Sequence, residues 1–256
     1  MKKIFLLILM TFSLHAFNNP SAPLYIGEGF FISPNSWINI RLGYEGKFTG
    51  NARLNQHSEG SRGVDSFKIN SNAGLVTINI KDRLDLYAAL GTARIRADWR
   101  VEGGEFFNIE IESKYRFKEE YGARAVLVDW GKCSLGAGGS YSLCKPAILR
   151  IVKNGVLVED GSKSVYRGWQ VNSAISYRSD FLIPYVGIKY SSMEGKVRTR
   201  DTSIGENGST SIHMKNRKKV GCIIGCGISN GKIFALNIEG CLIDEESISI
   251  SGEFRF

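Results

Sequence analysis

The stretch Val76-Thr77-Ile78-Asn79-Ile80-Lys81-Asp82-Arg83-Leu84-Asp85-Leu86-Tyr87-Ala88-Ala89-Leu90 decides the fold. Val76, Ile78 and Ile80 alternate with polar residues, three charged residues intervene, and Leu84, Leu86, Ala88 and Leu90 resume the alternation. A period of two means a β-strand with one apolar and one polar face. A short polar break between two such runs joins them as an antiparallel pair.

The same pattern extends in both directions. Ile38, Ile40, Leu42, Tyr44 and Phe48 oppose Asn39, Arg41, Glu45 and Lys47. The apolar series Phe107, Ile109, Ile111, Tyr115, Phe117, Tyr121, Ala123, Ala125 and Leu127 keeps one phase and predicts a single long strand. Further strands are centred on Leu135–Leu143, Trp169–Tyr177, Leu182–Tyr190, Val220–Ile228, Phe234–Leu242 and Ile248–Phe256. About ten strands result. Between Ile148 and Val158, Lys153-Asn154-Gly155 carries the Asn-Gly pair of a type I′ turn. Its six-residue arms are too short to span a bilayer, so an extracellular hairpin is expected; were its arms to join the wall, the count would be twelve.

The connections separate a soluble sandwich from a membrane barrel. Short ones, at 81–83, 129–132, 179–180 and 229–232, alternate with mostly longer polar ones at about 49–65, 101–105, 145–165, 192–217 and 243–246. Short turns at one end and loops at the other match an outer-membrane barrel, in which apolar side chains face lipid and polar ones face the lumen. Aromatics fall near strand ends, where interfacial girdles sit: Trp37, Trp130, Phe181, Phe234 and Phe256 low, and Tyr44, Phe48, Trp99, Tyr141, Trp169 and Tyr190 high. The predicted fold class is therefore an all-β, transmembrane, antiparallel up-and-down barrel.

Composition agrees. The 256 residues include 29 Gly but only 5 Pro, and no uninterrupted apolar run approaches the about 18 residues of a membrane helix. Lys2 and Lys3, an apolar stretch from Ile4 to Leu14 and the small residue Ala16 read as a signal peptide over 1–16, leaving a barrel domain over 17–256. Removing the two lysines takes the formal charge from +8 to +6. Five cysteines are too few for a disulfide scaffold and odd in number. Cys133 and Cys144 stand at opposite ends of one strand, about 36 Å apart at roughly 3.3 Å per residue, too far to pair. By phase Cys222 and Cys226 face lipid and Cys241 the lumen; Cys133, at a short turn, is the candidate for an intermolecular disulfide.

The predicted inward face is polar and of mixed charge. It carries Arg41, Glu45, Lys47, Asp85, Arg94, Arg96, Asp98, Glu110, Glu112, Lys114, Arg116, Lys189, Glu239 and Glu253, with Gln170, Asn172 and Asn237. Such charges either line a water-filled path or form a network that closes a narrow barrel, since eight strands are filled by side chains and sixteen leave a channel. Inward Arg41, Arg94, Arg96, Lys114, Arg116 and Lys189 outnumber the inward carboxylates at the extracellular half, which with the charge of +6 predicts a weak anion preference. Catalysis is not expected: His57 and His213 lie in loops with no nucleophile motif beside them. Nor is a metal site, a cofactor or nucleic acid expected. Between 192 and 219 stand seven basic residues and three acidic ones, which fits either an adhesin-type surface barrel or a solvated loop that meets the phosphates of lipopolysaccharide at the rim.

Several strands resemble the chlamydial major outer membrane porin family. The similarity is carried by Asn72 to Tyr87 with Leu90-Gly91, Ile40-Arg41-Leu42-Gly43-Tyr44, Trp169-Gln170-Val171 with Ser176-Tyr177-Arg178, Pro184-Tyr185-Val186-Gly187, the segment Ser249 to Phe256, and Ser13-Leu14-His15-Ala16. The resemblance implies an outer-membrane porin passing small solutes or ions and contributing to envelope structure. It also implies contact with lipid and lipopolysaccharide, homo-oligomers, and cross-links to cysteine-rich envelope proteins. The chain departs from the family in its shorter loops and its fewer strands and cysteines.

Overall fold

A computed structural model describes residues 37–56, 64–103, 105–160, 162–198, 211–229 and 233–256; the proposed signal peptide and His57 lie outside them. Ten strands close into an antiparallel barrel: β1 (Ile38–Ala52), β3 (Ser66–Ile80), β4 (Leu84–Gly103), β6 (Arg116–Trp130), β7 (Cys133–Cys144), β10 (Ser164–Tyr177), β11 (Leu182–Arg198), β13 (Val220–Ser229), β14 (Phe234–Leu242) and β15 (Glu245–Arg255). Each pairs with the next, and β1 returns to β15 in a register running from Arg41 opposite Arg255 to Ala52 opposite Glu245. Closure leaves no strand edge in the membrane, which a bilayer requires because lipid cannot satisfy backbone groups.

Five further strands lie at the end away from the short turns: β2 (Leu54–Gln56), β5 (Glu105–Ser113), β8 (Ile148–Lys153), β9 (Val156–Asp160) and β12 (Ser211–Asn216). The hairpin expected at Asn154-Gly155 is β8–β9, with both turn residues at positive φ (50° and 80°). It pairs with β5 outside the closed wall, so the barrel count stays at ten. At the opposite end the β3–β4 turn places Lys81 and Asp82 at φ of 53° and 52°. The Asn79 carboxamide oxygen steadies this turn by accepting from the Asp82 N–H at 3.2 Å.

The long strand expected over 107–127 is two strands. Ile109, Ile111 and Ser113 of β5 point inward, whereas Phe117 and Tyr121 of β6 point outward. The break at Lys114–Tyr115 exchanges the faces, although the apolar residues keep one phase along the sequence.

Two regions stack along the barrel axis. In the lower one, Ile40, Leu42, Val76, Ile78, Leu86, Val171, Val186, Ile188 and Ile248 are exposed on the outer wall while Asn39, Arg41, Thr77, Asn79, Asp85, Ser249 and Glu253 are buried. This polarity is the reverse of a soluble sandwich. The lipid-facing run Ile38–Phe48 measures about 33 Å at roughly 3.3 Å per residue, or about 25 Å of height at a tilt near 40°. The structure shows both girdles: Trp37, Trp130 and Phe181 at one rim, Phe48, Tyr121, Tyr141 and Trp169 at the other. In the upper region the faces swap. Phe67, Ile95, Ala97, Ile109, Ile111, Ile148, Ile151, Val197, Ile212 and Met214 form a buried apolar core inside the wall, while Lys68, Arg96 and Lys196 point out.

Candidate functional site: the barrel lumen

Alternation on ten tilted strands sends every second side chain of the lower region into the bore. At its lower end four ionised groups form a closed set. The Arg41 guanidinium bonds the Asp85 carboxylate and lies 3.5 Å from Glu253 Oε2. Arg124 donates from Nε to Asp85 Oδ2 at 2.6 Å and from Nη2 to Glu253 Oε1 at 2.7 Å. All four side chains are no more than 1% exposed. Asn79 donates to Asp85 at 2.6 Å and accepts from Asn39 at 2.8 Å. β6 and β15 lie four places apart around a ten-strand wall. The Arg124–Glu253 bond is therefore a chord across the bore, joining almost opposite sides.

Two tyrosines thicken this layer. Tyr87 lies over Gly122, where a Cβ would come within 2.4 Å of the ring, and Tyr185 lies over Gly225 at 2.3 Å. Only glycine leaves room for these rings. Tyr87 receives the Arg124 guanidinium on its face, 5.7 Å from the centroid. The Tyr185 hydroxyl donates to Glu239 at 2.6 Å and lies 3.1 Å from Asn237 Oδ1.

Higher in the bore a second set gathers. Lys189 donates to Glu245 at 2.7 Å and lies 3.1 Å from Asp244; Lys47 bonds Glu245, and Lys118 bonds Glu120 at 2.7 Å. The Glu45 carboxylate is buried near Lys47, Lys118, Glu120 and Arg124, and neither of its oxygens has a hydrogen-bond partner. Beside this set lies a cavity of about 120 Å³, lined by Lys118, Glu120, Lys189 and Glu245 and by the small residues Ser140 and Ser142 of β7, with Ile95, Tyr166 and Leu54 of the upper core above it. The β7 side of the bore carries only Ser134, Gly136, Gly138, Ser140 and Ser142 below Cys144, so the charged side chains reach across it from the other strands.

Of the pore-lining candidates, Arg41, Glu45, Lys47, Asp85, Lys189 and Glu239 point into the lumen. Arg94, Arg96, Glu110, Glu112, Lys114 and Arg116 do not. Arg94 and Arg96 share the outer face of β4 with Leu86 and Leu90, and Glu110 and Glu112 oppose the buried Ile109 and Ile111. Lys114 and Arg116 are exposed at the β5–β6 break; Arg116 stands opposite the inward Ala93, in phase with Lys118, but at the open start of its strand. For Arg94, Arg96, Glu110 and Glu112 the cause is height: polar residues face inward only at membrane depth, and these four lie above it. Without them, six cations (Arg41, Lys47, Lys118, Arg124, Lys189, Arg255) meet seven carboxylates (Glu45, Asp85, Glu120, Glu239, Asp244, Glu245, Glu253) among the described lumen residues, which removes the basis for an anion preference. Lys118 and Glu120 were open to sequence reasoning, being in phase with Arg124; the chord from Arg124 to Glu253 was not.

None of the five cysteines forms a disulfide. Cys133 is half-buried at the short-turn end, paired with Trp130 on one side and Tyr177 on the other, and so lies within the lower aromatic girdle. Cys144 and Cys241 are buried in the wall, pointing inward.

No family model matches the chain. A major outer membrane porin of Chlamydia pneumoniae is 25% identical over 73% of this chain and 70% of its own length. The serovar B major outer membrane porin of Chlamydia trachomatis is 23% identical over 93% of both. The chain is similar to the chlamydial major outer membrane porins along most of its length. It is an outer-membrane β-barrel, with its apolar band in contact with lipid. Among solved structures, an outer membrane channel from Pseudomonas putida F1 aligns over 94% of this chain and all of its own, with 10% identity and a TM-score of 0.45.

Proposed function

We propose that this protein, similar to the chlamydial porins, is a narrow channel, closed at rest, that passes water and small ions when its charge network loosens. The observation that carries the reading is the Arg124–Glu253 chord with its partners Arg41 and Asp85. The bore is filled by ion pairs, not by packed hydrocarbon. Water and salt can replace ion-pair partners one for one, whereas an apolar plug offers permeating ions nothing in exchange for their hydration. The small-residue wall of β7, next to the cavity, is where an opening bore would have room. With nearly balanced lumen charge, selectivity between anions and cations is weak, and solutes of sugar size are excluded. The porin names of the relatives support the channel class and a non-enzymatic role.

A second reading, a non-conducting envelope barrel, is favoured by the apolar core that roofs the lumen. Planar-bilayer recording separates the two. The channel reading expects small, brief openings from the native protein and larger or longer ones after Arg124→Ala, which cuts the chord. Silence from both proteins, each folded by heat-modifiable gel mobility, would establish the scaffold.

A further inference from the structure

The outward charges of the upper region raise a separate question, because they stand directly above the lipid-facing band. On the outer face of β4, Leu90 is exposed at membrane depth, and Thr92, Arg94 and Arg96 follow at alternate positions. Phe117, exposed beside Thr92, marks the same level on β6. Arg94 therefore lies about 10 Å above Leu90 by strand rise and tilt, at the depth of the lipid headgroups.

At this height strand register sets Arg96, Glu112 and Arg150 side by side on β4, β5 and β8. The Glu112 carboxylate accepts from Arg96 Nε at 3.1 Å and Arg150 Nε at 2.8 Å, and also bonds Arg94. Arg94 lies over the Tyr115 ring, 6.0 Å from its centroid. One carboxylate, 13% exposed, thus holds three guanidinium groups, of which Arg96 and Arg150 are 55% and 56% exposed. Each guanidinium has five N–H donors, so most point to solvent from a fixed array carrying two net positive charges. The acidic neighbours Asp98 and Glu110 pair one register step higher, away from the membrane. The opposite flank is also basic, with Lys163, Arg167, Lys196, Arg198 and Lys215 lining one groove, but its carboxylate Glu194 bonds Lys215 at 3.1 Å and gathers no comparable set of guanidinium groups among the described residues.

We propose that Arg94, Arg96 and Arg150, held together by Glu112, bind the phosphate groups of a phosphorylated glycolipid of the outer leaflet. Guanidinium forks match phosphate oxygens in bidentate geometry. The shared carboxylate prepays the ordering of three long side chains, and Leu90 and Phe117 below would receive the acyl chains of the same lipid.

The test is native mass spectrometry of the detergent-purified barrel with added diphosphoryl lipid A, compared with its dephosphorylated form and with inorganic phosphate as competitor. The expected result is a one-to-one lipid A adduct, weakened about tenfold or more in Arg96→Gln/Arg150→Gln and less in Arg96→Lys/Arg150→Lys, which keeps charge but loses the fork. Dephosphorylated lipid should bind no better to the native protein than to the Gln variant. Equal lipid A binding by native and Gln proteins would overturn the site. Displacement by millimolar inorganic phosphate would overturn the lipid as its occupant. Because the site lies outside the bore, loss of lipid binding and loss of conductance are independent results.

Discussion

The lower and upper halves of the barrel are built from the same strands with opposite polarity. On β3, Thr77 and Asn79 face the interior near one end and Phe67 and Ile69 near the other, while the outer face changes from Val76 and Ile78 to Lys68 and Asn70. The solvent explains the difference. Where hydrocarbon surrounds the wall, apolar side chains gain nothing from turning inward and polar ones must; where water surrounds it, the hydrophobic effect restores the ordinary order. The two halves therefore rest on different forces: buried ion pairs and backbone pairing below, burial of apolar side chains above.

The sharpest way to break the comparison is to remove one charge from the lower network. Arg124→Ala leaves Asp85 and Glu253 buried with one partner fewer, a loss of about 3–5 kcal/mol if the pairs hold the lower half together. Urea unfolding in lipid, followed by gel mobility, measures it. A loss below about 1 kcal/mol would mean that water already occupies the bore and that the chord is not structural.

A substitution repeated along one face sharpens the boundary. Val76→Arg puts a cation against hydrocarbon and should cost about 2–4 kcal/mol near the midplane. Asn70→Arg, six residues along the same outer face, should change stability by less than about 0.5 kcal/mol, as at other surface sites. Equal costs in the same unfolding assay would place the membrane boundary elsewhere.

The smallest effect is a pH dependence confined to the upper half. Burial raises the Glu112 carboxyl, but Arg96, Arg94 and Arg150 outweigh it and hold the group below the ordinary carboxylate range. Its contribution is therefore present above that range and lost as pH falls through the lowered value. Asp98 behaves oppositely: burial and the nearby Glu110 raise its carboxyl, so protonation costs the folded state nothing and its charge is the unfavourable form. Protease protection of the β5–β8 segment should fall on acidification in the native protein and respond less in Glu112→Gln. An unchanged response would show that the three arginines are not held by this carboxylate.

Much of the fold was legible in the sequence, for local reasons. Alternation located the strands, Asn154-Gly155 specified its turn because both residues tolerate positive φ, and the uneven connections told one end of the barrel from the other. Alternation also brought Arg41, Asp85 and Lys189 to the lumen. It separates two faces, but it does not say which face is inside. That choice depends on the solvent around the finished wall, so Arg94, Arg96 and Glu112 could be placed only once the height of each residue was known. Their outward position and the apolar roof over the bore belong to the tertiary structure. So does the bond between Arg124 and Glu253, which are 129 residues apart in the chain. Closure of ten strands sets them on facing walls, and no pattern along one strand encodes what stands across a barrel.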